Sequence, residues 1–134
     1  MNISEAAERA GLTVKTTRYY ANIGMIVPAR HPQTGYRSYS ESDIAKLQLV
    51  GTARKFDFSV DECRELLALY EDKNRPSREV KQLTIKKIAA IDQKLSELAA
   101  LKNQLSHLAS SCDGDSRSHC PILDAFSAGD AKIS

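Results

Sequence analysis

Two cysteines, Cys112 and Cys120, close the ends of a polar stretch that runs Ser111-Cys-Asp-Gly-Asp-Ser-Arg-Ser-His-Cys120. Thiolates are soft donors that select Cu(I), Zn(II) and related ions. A structural zinc site takes four ligands, and the local supply is two cysteines with His107 or His119, with no second pair to complete a set. Two thiolates alone suit a monovalent d¹⁰ ion such as Cu(I), which accepts linear coordination. Such a site carries excess negative charge, which amides at the start of a helix beginning near Pro121 would offset while lowering the Cys120 thiol. The same spacing also fits two cysteines that merely oxidise. A second set of residues has different chemistry. Lys15, Thr16, Arg18 and Tyr19 fall within about one and a half turns of a helix, a mix suited to base edges and phosphate oxygens. Tyr36, Arg37 and Tyr39 follow on an extended stretch and would grip the flanking backbone. Some of these tyrosines are expected in the core, Tyr20 first. No nucleophile–base pair, phosphate-binding glycine loop or paired carboxylate stands out, so the chain is not expected to be an enzyme.

These groups need elements to hold them. The segment from Ile3 to Ile26 reads as two short helices around a tight turn. Ser4 is expected as the first N-cap, and Gly11 ends that helix in a left-handed conformation. Leu12 anchors the turn, Thr13 caps a second helix from Val14 to about Asn22, and Gly24 ends it. This is a helix-turn-helix arrangement. Two prolines, Pro28 and Pro32, then forbid helix, and Thr34-Gly35 marks a turn between short strands, a wing. Ser40-x-x-Asp43 and Ser59-x-x-Glu62 resemble capping boxes. The helix after the first is expected to bury Ile44, Leu47, Val50 and Phe56; the next, Cys63, Leu66, Leu67 and Tyr70. From Ser77 to about Ser110 there is neither proline nor glycine. That predicts one helix about 50 Å long, with Ile88, Ile91, Leu95 and Leu98 at coiled-coil spacing, interrupted at Lys102 and resumed at Leu105. One such helix per chain points to a second copy as its partner. Pro121 starts a last short helix that is expected to bury Ile122, Leu123 and Phe126.

The fold class that follows is mainly α. A winged helix-turn-helix DNA-binding domain spans 1–75 and a coiled-coil dimerisation helix 76–111. A metal-binding loop with a short helix spans 112–127, and a flexible tail 128–134. At 134 residues with a net charge of +2, the chain is too nearly neutral to announce nucleic-acid binding by charge alone. The first forty residues nevertheless hold five cations against two acids, so a local basic surface is available there. No apolar run approaches the ~20 residues needed to cross a bilayer, and the amino-terminal residues lack an export signal, so a cytoplasmic protein without a membrane partner is expected.

The order Ile3-Ser4-Glu5, Ala7, Gly11-Leu12-Thr13 and Thr17-Arg18-Tyr19-Tyr20, then Gly35-Tyr36-Arg37-Ser38-Tyr39, then the long helix, resembles the MerR family of transcriptional regulators. The likeness reaches to about Phe126. The Cys112-to-Cys120 loop followed by Pro121 is similar to the family's copper efflux regulators, which sense Cu(I) and in some members Ag(I) or Au(I). Members that sense divalent ions place a cysteine at the start of the long helix, where this chain has Ser77. The resemblance therefore implies one monovalent ion per protomer on Cys112 and Cys120, with Ser77 withholding the third ligand that Zn(II) or Hg(II) needs. It also implies a homodimer joined by antiparallel long helices over a palindromic operator in double-stranded promoter DNA. The dimer would activate efflux genes by distorting the promoter so that RNA polymerase can use it, the polymerase being engaged only through the DNA. The family usually has Glu after its Arg-aromatic-Tyr segment, where this chain has Ala21. Two other readings stay open: a thiol redox switch on Cys112 and Cys120, and a copper-carrying thiol protein without a DNA role.

Overall fold

Short polar side chains set where the first helices begin. Asn2, not Ser4, caps α1 (Ile3–Ala10): its Oδ1 accepts from the Glu5 amide at 2.9 Å, and Ser4 lies inside the helix. Asn2 wins because it stands three residues before Glu5, whose carboxylate accepts from the Asn2 side chain in return. Gly11 closes α1 with φ at +72°, a conformation that favours a residue without Cβ. Thr13 caps α2 (Val14–Asn22) through a bond from the Thr16 amide, and Gly24 follows at φ +73°. Leu12 holds the turn between the helices. A Cβ built on Gly51 of the third helix would lie 3.0 Å from its Cδ2, so the turn seats directly against that backbone.

Two-residue strands β1 (Ala29–Arg30) and β2 (Arg37–Ser38) pair antiparallel, Ala29 opposite Ser38 and Arg30 opposite Arg37. Helices α3 (Glu41–Lys55) and α4 (Val60–Glu71) both open on complete capping boxes, Ser40 with Asp43 and Ser59 with Glu62. Ala6, Tyr20, Ile26, Tyr39, Ile44, Leu47, Val50, Ala53, Cys63 and Leu67 form one apolar core. Arg9 ties the end of α1 to the start of α3 through a bidentate pair with Glu41 at 2.5 and 2.7 Å, which holds the Glu41 carboxyl below its ordinary value. Phe56 and Tyr70, expected inside, are exposed: both line an open apolar groove with Leu49 and Phe58 rather than the core.

The structure is a computed structural model that describes residues 1–115 and 118–129. It divides into two units, Met1–Val80 and Lys81–Ser134. The long helix α5 spans Ser77–Ser111 without interruption, and α6 spans Pro121–Ser127 with proline in its first turn. Proline suits that position because the amide it lacks would have had no helical partner. In the second unit the seam residues Ile88, Ile91, Leu95, Leu98 and Leu105 are all exposed. Leu123 and Phe126 were expected to be buried but are 65% and 54% exposed, while Ile122 is half-buried. A helix of seven residues covers one narrow face, and the chain turns Ile122 and Ala125 inward instead. Of the expected tail, Ala128 and Gly129 form a turn, and residues 130–134 lie outside the described residues. Among the described residues no helix is long and apolar enough to cross a membrane.

Candidate nucleic-acid interface and metal centre

The expected DNA-contacting residues fall into three groups. Lys15, Arg18 and Tyr19 are exposed on α2. Thr16, half-buried, accepts from the Thr13 hydroxyl at 2.9 Å and so belongs partly to the cap. Tyr36 stands at the wing turn, 77% exposed. Arg37 is held: its Nη2 donates to Asn22 Oδ1 at 2.7 Å, which clamps the wing to the end of α2. Tyr39 is a correction. It is only 2% exposed, packed in the core beside Tyr20 and Ile44, so it cannot reach DNA. Its amide donates to the Met1 carbonyl at 2.7 Å, and that pairing turns the side chain inward. Burial pushes its phenol above the ordinary value, against the pull of Arg37 and Arg18. Among the described residues its hydroxyl has no hydrogen-bond partner.

Sequence reasoning missed one residue. Arg30 faces Arg37 across the ribbon, and with Arg18, Tyr36, Asn2 and Ile3 these side chains line a cavity of about 330 Å³. Arg30 also donates to the Gly35 carbonyl at 3.0 Å, which braces the wing turn. Three guanidinium groups around one hollow repel each other unless an anion enters, and like charges directly opposed across strands destabilise a sheet. The hollow has the charge and donors of a phosphate seat. Strand register brings Arg30 there, and only the pairing that Thr34-Gly35 suggests could have signalled it.

The two thiols share one cavity. Cys112, just past the end of α5, and Cys120, the residue before α6, line a cavity of about 220 Å³ with Asp113, Gly114, Asp115, His119 and Pro121. Both are half-exposed and unbridged. The Leu123 amide does most to pull the Cys120 thiol below its ordinary value. The Ile122 amide and Cys112 add to this, against burial and the Asp124 carboxylate. His119 turns its Nδ1 toward Asp124 at 3.6 Å. Among the described residues no group of three or more His, Cys, Asp and Glu side chains is placed to hold a metal ion. The donors brought together are therefore two sulfurs, a set that fits a two-coordinate monovalent soft ion and falls short of a tetrahedral divalent one. Ser77 is exposed at the first position of α5, in the first unit.

A capped helix pair with a cationic wing, on a chain that also carries a convergent thiol pair, defines a helix-turn-helix regulator of the metal-responsive class. Two family models match this chain, "MerR HTH family regulatory protein" over residues 1–69 and "MerR, DNA binding" over 44–108. The chain belongs to the MerR family, whose regulators bind promoter DNA as dimers. It is 49% identical to the HTH-type transcriptional regulator HmrR of Rhizobium leguminosarum bv. viciae, over 96% of this chain and 99% of that one. It is 41% identical to the HTH-type transcriptional regulator CueR of Salmonella typhimurium, over 95% of this chain and 92% of the relative. Among solved structures, the transcription regulator PbrR691 from Ralstonia metallidurans CH34, in complex with lead(II), superposes with a TM-score of 0.81. It is 31% identical and covers 94% of this chain and 98% of that one. These relatives are regulators and not enzymes.

Proposed function

We propose that the chain is a Cu(I)-responsive activator of metal efflux or detoxification genes, with Ag(I) or Au(I) as alternative ions, acting in the cytoplasm as a homodimer on a palindromic operator. The single observation that carries the choice of ion is the thiol pair: Cys112 and Cys120 line one small cavity, and among the described residues no group of three or more His, Cys, Asp and Glu side chains is placed to hold an ion. One ion per protomer would be held by these two sulfurs, and its chemistry there is that of a soft, linear two-coordinate centre. The remaining negative charge faces the amides of Leu123 and Ile122, which already favour a thiolate at Cys120. Ser77 keeps a third thiolate away, which separates this site from the divalent chemistry of a lead(II)-binding relative. Lys15, Arg18, Tyr19, Tyr36 and Arg37 contact the operator, with Thr16 supporting the helix start. The loop and α6, drawn together at the thiols, bias the dimer between two arrangements, and promoter distortion costs only a few kcal/mol to tip.

In vitro transcription from a candidate promoter under reducing conditions, across a panel of ions, tests the reading. Cu(I), Ag(I) or Au(I) should activate, and Zn(II), Hg(II) and Pb(II) should not. Cys112→Ser should lose the response while keeping operator binding within about twofold, since no thiol belongs to the cationic surface. Activation by Zn(II) as strong as by Cu(I) overturns the assignment. The cavity that the two thiols share also favours a second reading, a redox switch. There the two thiols join as a disulfide while an oxidant takes two electrons and two protons. Thiol titration after mild oxidation, paired with transcription in the absence of metal, separates the two.

A further inference from the structure

Between Ile88 and Leu105 the seam of α5 contains one charged position. Ile88 and Leu95 share a heptad position with Lys102, and Ile91, Leu98 and Leu105 occupy the other apolar position. The five apolar members are 37–61% exposed, a face that needs a cover. Their repeat matches itself, so a second copy of the chain is the cover with the right spacing. The orientation then depends on Lys102. In a parallel pair each seam residue meets its own counterpart, and two Lys102 ammonium groups would oppose each other in the buried layer. In an antiparallel pair the two seam positions alternate across the interface. Aligning Leu95 with Leu98 of the partner sets Ile88 opposite Leu105 and Lys102 opposite Ile91. Asp92 immediately follows Ile91, and in the heptad it stands on the side of the seam that Lys102 occupies. The two would differ by one residue along the axis, about 1.5 Å. The other acids of the helix, Glu79 and Glu97, lie away from the seam, and the Glu97 carboxylate already accepts from Gln93.

We propose that, in the antiparallel pair of long helices that the family resemblance implies, Lys102 of each protomer lies beside Asp92 of its partner and so selects the register. The pair, made twice per dimer, fixes orientation and register, which the apolar residues alone leave degenerate. The inference rests on the homodimer proposed above and goes beyond it by naming the residues that align it.

Charge exchange tests it, with the full-length chain under reducing conditions and dimer dissociation followed by sedimentation against concentration. Lys102→Glu and Asp92→Lys each place like charges together twice, so each should weaken association by about tenfold or more. The double exchange should return it to within about threefold of the wild type, because the pair reforms with its signs reversed. Lys102→Gln and Asp92→Asn guard against misfolding by the reversed charges: each should weaken the dimer by a smaller factor, and together no more than either alone. Additive losses in both cycles overturn the pairing, as does a Lys102→Glu variant that dimerises like the wild type. A wild-type chain that stays monomeric at every concentration overturns the homodimer itself, a different failure from a dimer indifferent to these charges.

Discussion

Arg30 and Arg37, opposed across a ribbon of two-residue strands, set like charges together, a repulsion that an anion between them would relieve. Tyr39, two residues further along, makes sense only inside, with a hydroxyl that gains no bond among the described residues. The two facts predict opposite behaviour for neighbouring residues. Arg30→Ala should weaken operator binding and lower the salt slope by about 2, because each protomer then leaves one phosphate without its cation. Arg18→Ala and Arg37→Ala should act in the same direction, Arg37 with an added penalty because its clamp on Asn22 goes too. Tyr39→Phe should leave affinity and slope unchanged and hold or raise the melting temperature, since an unpaired buried hydroxyl costs about 1–3 kcal/mol. Binding curves at several salt concentrations check both. A Tyr39→Phe variant with a reduced slope would return that phenol to the interface, and an unchanged slope in Arg30→Ala would empty the phosphate seat.

Between residue and molecule, the helix-turn-helix unit depends on a few buried side chains shared by three helices. Leu47 of α3 is fully buried in the core with Ala6, Tyr20 and Val50, so Leu47→Ala should cost about 2–5 kcal/mol. Against a typical total of about 5–15 kcal/mol, that lowers the urea midpoint of this unit and weakens operator binding with it. A destabilisation under about 0.5 kcal/mol would mean the site collapses around the cavity. How far the sequence carried the fold follows from the range of each signal. Thr13, Ser40, Ser59, Gly11 and Gly24 act on backbone within one turn, so their positions could be read from neighbouring residues alone. At the first helix two capping residues, Asn2 and Ser4, stood close together, and the reciprocal partner at Glu5 decided for the first. Inward and outward faces of the ribbon are not legible in the sequence, because two residues are too few to show an alternation, so neither the burial of Tyr39 nor the place of Arg30 follows from it. Apolar identity likewise told nothing about cover for Phe56, Tyr70, Leu123 and Phe126, since an exposed aromatic and a buried one look alike along the chain. The thiol pair was legible for the opposite reason: its spacing and the proline after it are both local, and the amides of Ile122 and Leu123 follow from that proline.

At the scale of the molecule, the chemistry is divided. The cations and the wing belong to the unit Met1–Val80, and the thiols and the apolar seam to Lys81–Ser134. Regulators of this family bind promoter DNA as dimers, so a seam that joins two copies, as proposed above, would set how strongly the first unit binds. Leu98→Glu places a carboxylate in the middle of that seam while touching none of the core residues of the first unit. The variant should sediment as a monomer, with the melting of the helix-turn-helix unit unchanged. Its operator affinity should fall by about a hundredfold or more, because linking two half-site binding events raises affinity by about 10²–10⁴ with no added interface. The salt slope of what binding remains should fall to about half, since one set of phosphates is neutralised where there were two. The combination matters more than any one measurement. Lower affinity with an intact slope would mean a damaged DNA surface on an intact dimer, and a dimer of wild-type affinity would remove the seam from the interface altogether.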